Sequence, residues 1–148
     1  MSAPTEEPLG LAMLCFIASR AMEARVMAAL ADAGYGDISQ QQARVFARLG
    51  PDGTRMGDLA DQALVTKQTA TSLGDHLERM GYVRRVPDPA DQRARLVVFA
   101  PRGLQACEVA KRAEREVHAE WDRHLGRAEA KQVRAALTRL REITDPWM

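Results

Sequence analysis

Six polar side chains between residues 66 and 76 have types and spacing suited to contacts with the edges of DNA bases. They share one face of a segment whose apolar residues recur at helical intervals, and they are Thr66, Lys67, Gln68, Thr71, Ser72 and His76. Glutamine pairs with adenine through two hydrogen bonds, lysine donates to guanine, and threonine contacts the methyl group of thymine. We therefore expect base contacts from residues 66–72 and a phosphate contact from His76.

Basic side chains also concentrate in the segment that follows. Residues 84–102 hold five arginines and two aspartates, a local charge of +3, whereas the whole chain has a net charge of +1. Arg84, Arg85 and Arg95 alternate with apolar residues, as on strands with one exposed face, and suit contacts with phosphates. A local basic surface is enough to attract a duplex to a nearly neutral protein.

The segments before these residues predict a helix-turn-helix. Ser39 and Gln42 have the spacing of a capping box, which begins a helix. A short helix is predicted over residues 56–62. Thr66 is a good N-cap for the helix that carries the base-contact candidates, and Gly81 is a good terminator for it.

A β-hairpin is predicted directly after that helix. Residues 82–86 and 94–99 are rich in β-branched side chains and form the only predicted strand pair, and 87–93 form a long tip rich in Pro and Asp. Pro101 suits the first turn of the next helix. The predicted fold class is therefore mainly α with a small β-hairpin wing (α+β), a winged helix-turn-helix with N- and C-terminal dimerisation helices.

Composition and length predict one domain at residues 9–148, preceded by a polar, flexible tail at 1–8. Within that domain, residues 37–101 form the predicted DNA-binding lobe. Residues 9–36 and 102–148 are predicted dimerisation helices, because their apolar residues exceed what one chain covers. The expected partners are therefore double-stranded DNA and a second copy of the chain.

Motifs of enzymes and metal sites are missing from the sequence. No P-loop, dinucleotide fingerprint, HExxH or nucleophile elbow occurs, so we expect no enzyme and no cofactor, with a passenger enzyme as a remote alternative. Cys15 and Cys107 lie too far apart for a zinc finger. Glu114, His118 and Asp122 share a helix face but include no Cys and one His, which is more typical of an exposed charged stripe than a metal site.

The longest apolar run, residues 9–18, is too short for a membrane span and lacks the basic start of a signal peptide. The expectation is a cytoplasmic protein without a membrane partner. Frequent Arg and Ala are typical of a GC-rich and therefore bacterial genome.

The segment MGDLADQALVTKQTATSLGDHLERMGYVRRVPDPADQRARLVVFAPRG, from Met56 to Gly103, resembles the MarR (multiple antibiotic resistance regulator) family. The resemblance implies a homodimeric regulator of transcription, most often a repressor, that binds a pseudo-palindromic operator. It further implies that Arg93 enters the minor groove and that Asp91 holds Arg93 in place. Ala100 departs from the family, which usually has Thr before the fifth helix.

The resemblance also implies an effector, for which two sites are candidates. A small, aromatic ligand would bind in a cleft between the first helix, the dimer helices and the lobe, lined by Met13, Phe16, Ile17, Arg20 and Trp121. Alternatively, Cys15 would respond to peroxide, as in the organic hydroperoxide resistance branch, although the tyrosines of that branch are absent at the matching places. A winged helix that binds proteins rather than DNA is a remote alternative.

Overall fold

A computed structural model describes residues 8–147. Of the predicted tail, residues 1–7 therefore lie outside the described residues. The chain forms six α-helices over this range: α1 (Leu11–Leu30), which continues into a π-helical segment (Ala31–Tyr35), α2 (Gln40–Phe46), α3 (Met56–Gln62), α4 (Lys67–Arg79), α5 (Pro101–Leu125) and α6 (Arg127–Thr144). It forms three strands: β1 (Thr54–Arg55), β2 (Val83–Asp88) and β3 (Asp91–Phe99). The helix-turn-helix α3–α4 followed by the hairpin β2–β3 confirms the predicted winged helix.

The helix ends follow the capping residues of the sequence. At α2, the Ser39 hydroxyl accepts from the Gln42 N–H at 3.1 Å, and the Gln42 side chain accepts from the Ser39 N–H at 2.8 Å. The Thr66 hydroxyl caps α4, and Pro101 begins α5. Gly81 follows α4 with a φ of 81°, a left-handed conformation that glycine adopts readily. The predictions for these helix ends are confirmed.

The sheet contains one strand more than predicted. The order is β1–β3–β2 with both pairs antiparallel, and β1 pairs through Thr54↔Val97 and Arg55↔Leu96. The prediction of a single strand pair was wrong, because a two-residue strand is too short to show alternating hydrophobicity.

The tip of the hairpin is also shorter than predicted. Strands β2 and β3 remain paired as far as Asp88↔Asp91, so the turn consists of Pro89 and Ala90 only. The predicted long tip at 87–93 was wrong. The Asp88 carboxylate explains the difference, since it accepts from the Ala90 N–H at 2.9 Å and closes the turn. The irregular register between Pro87 and Asp88 accommodates a proline within a strand.

One hydrophobic core joins the lobe, residues 37–101, to the helices on either side of it. Tyr82, Leu59 and Leu77 are almost completely buried at its centre. Leu30 of α1 and Ala106 of α5 extend the same core beyond the lobe.

Two helix faces at the ends of the chain remain uncovered. Their apolar side chains are exposed in the single chain, and we call them the terminal faces: Leu9, Leu11, Met13, Leu14, Phe16 and Ile17 near the start of α1, and Val133, Leu137, Leu140 and Ile143 on α6. Of the residues in α6, only Ala130 is buried.

Candidate nucleic-acid interface

Helix α4 displays most of its predicted base-contact residues to solvent. Lys67, Gln68 and Ser72 are exposed, whereas Thr71 is half-buried. Thr66 has a structural role, because its hydroxyl accepts from the Thr69 N–H at 3.1 Å and donates to the Thr69 hydroxyl at 2.9 Å. The exposed face of the first two turns of α4 therefore belongs to Lys67, Gln68 and Ser72.

His76 lies one turn beyond Ser72 on the same helix. It is exposed, but its Nδ1 atom lies 2.5 Å from the side-chain nitrogen of Gln42, a buried residue of α2. The sequence predicts only a capping-box role for Gln42, and no local pattern indicates this contact between helices.

Three arginines of the wing are exposed and have no ion pair with any of residues 8–147: Arg84, Arg93 and Arg95. The register pairs Arg95 with Pro87 and Arg85 with Val97, so alternation places Arg95 on the face of the sheet that carries Arg85. Arg85 contacts α4 through that face, so Arg95 and α4 lie on the same side of the sheet. Arg84 pairs with Val98 and lies on the opposite face, and Arg93 falls in the irregular stretch between Arg95 and the turn.

Arg85 has a different role from the predicted phosphate contact. Its guanidinium lies 2.6 Å from the Asp75 carboxylate and 3.5 Å from Glu78, both on α4. Its backbone N–H donates to Glu78 at 2.8 Å. Two carboxylates neutralise the charge of this arginine. Arg85 therefore joins β2 to α4 instead of facing a DNA phosphate.

Asp91 contacts Arg93 in a way that the family resemblance did not imply. The carboxylate accepts from the backbone N–H of Arg93 at 3.0 Å, and no ion pair joins the two side chains within residues 8–147. Asp91 therefore shapes the backbone beside the turn. Arg93 lies on β3 rather than in a loop tip, with its guanidinium exposed.

The acidic residue that anchors the wing is Asp88, which the sequence analysis missed. Its buried carboxylate lies 2.6 Å from the guanidinium of Arg55, the residue of β1 that precedes α3. The Ala90 N–H and the Arg55 guanidinium together lower the pKa of Asp88 below its ordinary value. The ion pair joins the end of the wing to the start of the helix-turn-helix.

A second missed residue lies in the turn between α3 and α4. Leu64 is 92% exposed and has a φ of 55°, which side chains other than Gly, Asn and Asp rarely adopt. Burial would be expected for a leucine in a short turn between two helices. Its exposed side chain instead lies two residues before Thr66.

A polar cluster holds the lobe against α5. The Tyr82 hydroxyl donates to Asp37, and the Arg102 guanidinium lies 3.2 Å from Asp37 and 4.3 Å from the centre of the Tyr82 ring. Arg102 also donates to the Met80 carbonyl at 2.7 Å. The hydrogen bond from Tyr82 and the charge of Arg102 lower the pKa of Asp37, while burial raises the pKa of Tyr82. Because Asp37 neutralises Arg102, this arginine does not add to the basic surface predicted over residues 84–102.

Comparison with known proteins identifies the lobe. Residues 36–94 match the model described as MarR family. The chain therefore carries a MarR-family domain. The Transcriptional activatory protein BadR of Rhodopseudomonas palustris is 34% identical over 113 residues, which are 74% of this chain and 63% of BadR. The chain thus spans slightly less than two thirds of that relative's length.

Solved structures show the same fold over nearly all of the chain. NadR in complex with 4-hydroxyphenylacetate is 23% identical with a TM-score of 0.70, covering 95% of this chain and 97% of NadR. MarR from E. coli is 22% identical with a TM-score of 0.71, covering 91% and 98% of the two chains. The regulator Tm0710 from Thermotoga maritima is 26% identical with a TM-score of 0.61, covering 91% of each chain.

A cavity of about 550 Å³ lies between α1, α2 and α5. Its walls are mainly apolar and include Leu30, Ile38, Phe46, Phe99, Ala106 and Cys107, while Glu108, Lys111 and Glu114 add polar groups. Burial, with a smaller effect of Glu108 and Glu114, raises the pKa of the Cys107 thiol, which Lys111 opposes. This cavity is large enough for a ring-sized ligand.

None of the five predicted cleft residues lines that cavity. Met13, Phe16 and Ile17 are exposed on α1, and the Arg20 guanidinium lies 6.0 Å from the centre of the Phe16 ring. Trp121 packs edge-on to His118. The predicted cleft includes the dimer helices, so its lining by these five residues stays a prediction, separate from the cavity of the single chain.

The candidates for redox and metal chemistry have other surroundings. Cys15 is exposed among the apolar residues of α1. Both tyrosine hydroxyls have partners elsewhere, Tyr82 at Asp37 and Tyr35 at Gln105. Asp122 of the charged stripe accepts from Arg134 at 3.2 Å. Among residues 8–147, no group of three His, Cys, Asp or Glu side chains is arranged to hold a metal ion.

Within the same range, none of the helices combines the length and hydrophobicity needed to cross a bilayer.

Proposed function

We propose that the protein is a homodimeric regulator of transcription that binds double-stranded DNA through α4 and the wing. The observation that carries the proposal is the exposed polar face of α4 beside a wing whose three exposed arginines have no ion pair within residues 8–147. Lys67 and Gln68 would contact base edges in the major groove, with Ser72 beside them. Arg84, Arg95 and His76 would contact phosphates, and Arg93 would enter the minor groove.

The terminal faces support a second copy of the chain as partner. Nine exposed apolar side chains on α1 and α6, with Leu9 just before α1, form a surface that water disfavours and that an identical surface would cover. A two-fold dimer presents two α4 helices, and a pseudo-palindromic operator offers two matching half-sites. Such a protein would work in the cytoplasm, where bacterial DNA is found.

The direction of regulation has two candidates. The family resemblance favours repression, whereas the printed name of BadR, the relative from R. palustris, describes an activatory protein. A reporter gene fused to the promoter of the protein's own gene distinguishes the two. Deletion of the regulator raises expression of the reporter if the protein is a repressor and lowers it if the protein is an activator.

The test of DNA binding is a footprint on the promoter region of the protein's own gene, followed by titration of the protected duplex. We expect Arg93→Ala to weaken binding about tenfold or more without unfolding the protein. Arg112→Ala, which removes an exposed arginine from α5, is the matched control and should bind as wild type does. Equal affinities for wild type and Arg93→Ala would contradict the role of the wing, and the lack of any sequence-specific shift at low salt would favour a protein-interaction module.

We further propose that a small aromatic acid releases the DNA by binding in the cavity between α1, α2 and α5. Apolar walls suit a ring, and Lys111 is the cationic side chain among the lining residues that would pair with a carboxylate. The structure of NadR contains 4-hydroxyphenylacetate, an acid of this class. Repeating the footprint with 4-hydroxyphenylacetate and, separately, with peroxide tests the ligand against the Cys15 alternative: loss with peroxide alone would favour Cys15.

A further inference from the structure

Two side chains, those of Gln42 and His76, connect the start of α2 to the exposed face of α4. The buried Gln42 side chain accepts from the Ser39 N–H through Oε1 at 2.8 Å. Its other end, Nε2, lies 2.5 Å from Nδ1 of His76. The two contacts use opposite ends of one amide group, so each determines the orientation of the other.

The capping box decides which atom of Gln42 faces the imidazole. A backbone N–H requires an acceptor, so Oε1 must point to Ser39 and the NH2 group must point to His76. The NH2 group only donates, so Nδ1 of His76 must carry a lone pair and the ring proton must lie on Nε2. An imidazolium would place two donors against each other at this contact.

We propose that Gln42 is a positioning residue that holds His76 as a neutral imidazole with its proton on Nε2. The geometry leaves this N–H as the donor on the exposed edge of the ring, where a phosphate oxygen would accept it. This inference rests on the proposed DNA binding. In this inference, His76 makes a directional hydrogen bond to a phosphate rather than a nondirectional charge interaction. Gln42, on the neighbouring helix α2, determines the orientation of the imidazole ring.

Gln42→Glu tests the proposal with little change of shape. A glutamate at this position still accepts from the Ser39 N–H and completes the same capping box. Its second oxygen, however, accepts from His76 instead of donating to it, which moves the ring proton to Nδ1. Gln41→Glu adds the same charge to an exposed neighbour on α2 and serves as the matched control.

The first measurement is nitrogen-15 NMR of the histidine rings in the free protein at about pH 8.5, where an ordinary imidazole is neutral. In wild type and in Gln41→Glu we expect the His76 ring to be protonated at Nε2 alone. In Gln42→Glu the proton should move to Nδ1. A wild-type ring protonated at Nδ1, or one that averages between the two forms, would overturn the proposal without any reference to DNA.

The second measurement is operator affinity at the same pH, using the footprinted duplex. Gln42→Glu should weaken binding about tenfold, since a lone pair then replaces the donor opposite the phosphate. In a His76→Ala background, Gln42→Glu should change the affinity less than about twofold relative to Gln41→Glu. Equal effects in the two backgrounds would overturn the positioning role, whereas failure of wild type to bind any operator would overturn the proposed function itself.

Discussion

The lobe and the terminal faces use similar apolar side chains with opposite results. In the lobe, Leu59, Leu77 and Tyr82 are buried by residues of the same chain. On α6, Val133, Leu137 and Leu140 recur at helical spacing, yet each is more than two fifths exposed. The core of the lobe is therefore completed within one chain, with α1 and α5 contributing to it. The terminal faces are a surface whose stability depends on what covers it.

The polar contacts of the two regions differ less than their apolar ones. In the lobe and at its junction with α5, Asp88 and Asp37 each bind an arginine from a distant part of the sequence. On α6, Arg141 pairs with Asp145 within a single turn, and Asp145 also lies 3.6 Å from Arg48 of the lobe. Polar contacts therefore hold α6 in place, while its apolar face remains uncovered.

The largest effect is expected on the stability of the dimer, from a substitution at Leu137 of α6. If a second copy covers the terminal faces, Leu137→Glu buries two unpaired charges in the dimer and should raise its dissociation constant about 1,000-fold. Sedimentation velocity over a range of concentrations measures this change. Leu64→Glu, at an even more exposed leucine of the lobe, is the control and should leave the oligomeric state unaltered. A dimer equally stable in both variants would show that α6 is not covered by a second copy.

A smaller effect is expected on the free energy of unfolding, from a substitution at Gly103, where α5 packs against the lobe. A Cβ atom there would lie 2.0 Å from the Tyr82 carbonyl oxygen. Gly103→Ala should therefore lower the free energy of unfolding by about 3 kcal/mol, as in other overpacked cores. Gly57→Ala on α3 is the control, because no atom lies within 4 Å of its Cβ position and alanine favours helices. Denaturant titrations compare the two, and equal stabilities would contradict the close packing of α5 on the lobe.

The smallest effect is expected at the wing, as a change in acid stability. Because the pKa of Asp88 is lower in the folded protein than its ordinary value, ionised Asp88 favours folding, and this contribution is lost as pH falls below about 4. Asp88→Asn should be less stable than wild type at pH 7 and should converge with it under acid. Denaturant titrations at several pH values measure this. Asp91, on the other side of the turn, has no arginine partner within residues 8–147. Asp91→Asn is therefore the control, and its free energy of unfolding should change with pH as that of wild type does.

Local residue choices were enough to predict most helices of the fold. Ser39, Thr66, Gly81 and Pro101 act on backbone groups within four residues, so their effects can be read from the sequence. The hairpin was predicted in position but not in shape. Its Pro and Asp residues are typical of loops, and the strands continue close to the turn because Asp88 accepts from the Ala90 N–H and pairs with the distant Arg55.

The candidate interface was predicted less completely than the fold. The exposure of Lys67 and Gln68 follows from helical periodicity, and the exposure of Arg93 from its place near a turn. The pairing of Arg85 with α4 does not follow from either, because a guanidinium finds its carboxylate through tertiary structure. The contact between Gln42 and His76 joins residues 34 positions apart, and each residue has an ordinary local explanation.

Helix α5 is the longest element of the described chain, and its length has a mechanical consequence. At a rise of about 1.5 Å per residue, its 25 residues extend over about 37 Å, from Arg102 beside the lobe to Leu125 beside α6. A rotation of about 5° around one end of a rod this long displaces the other end by about 3 Å, comparable to the rise of one base pair. A slight tilt of α5 is therefore enough to shift α4 by one step along a duplex.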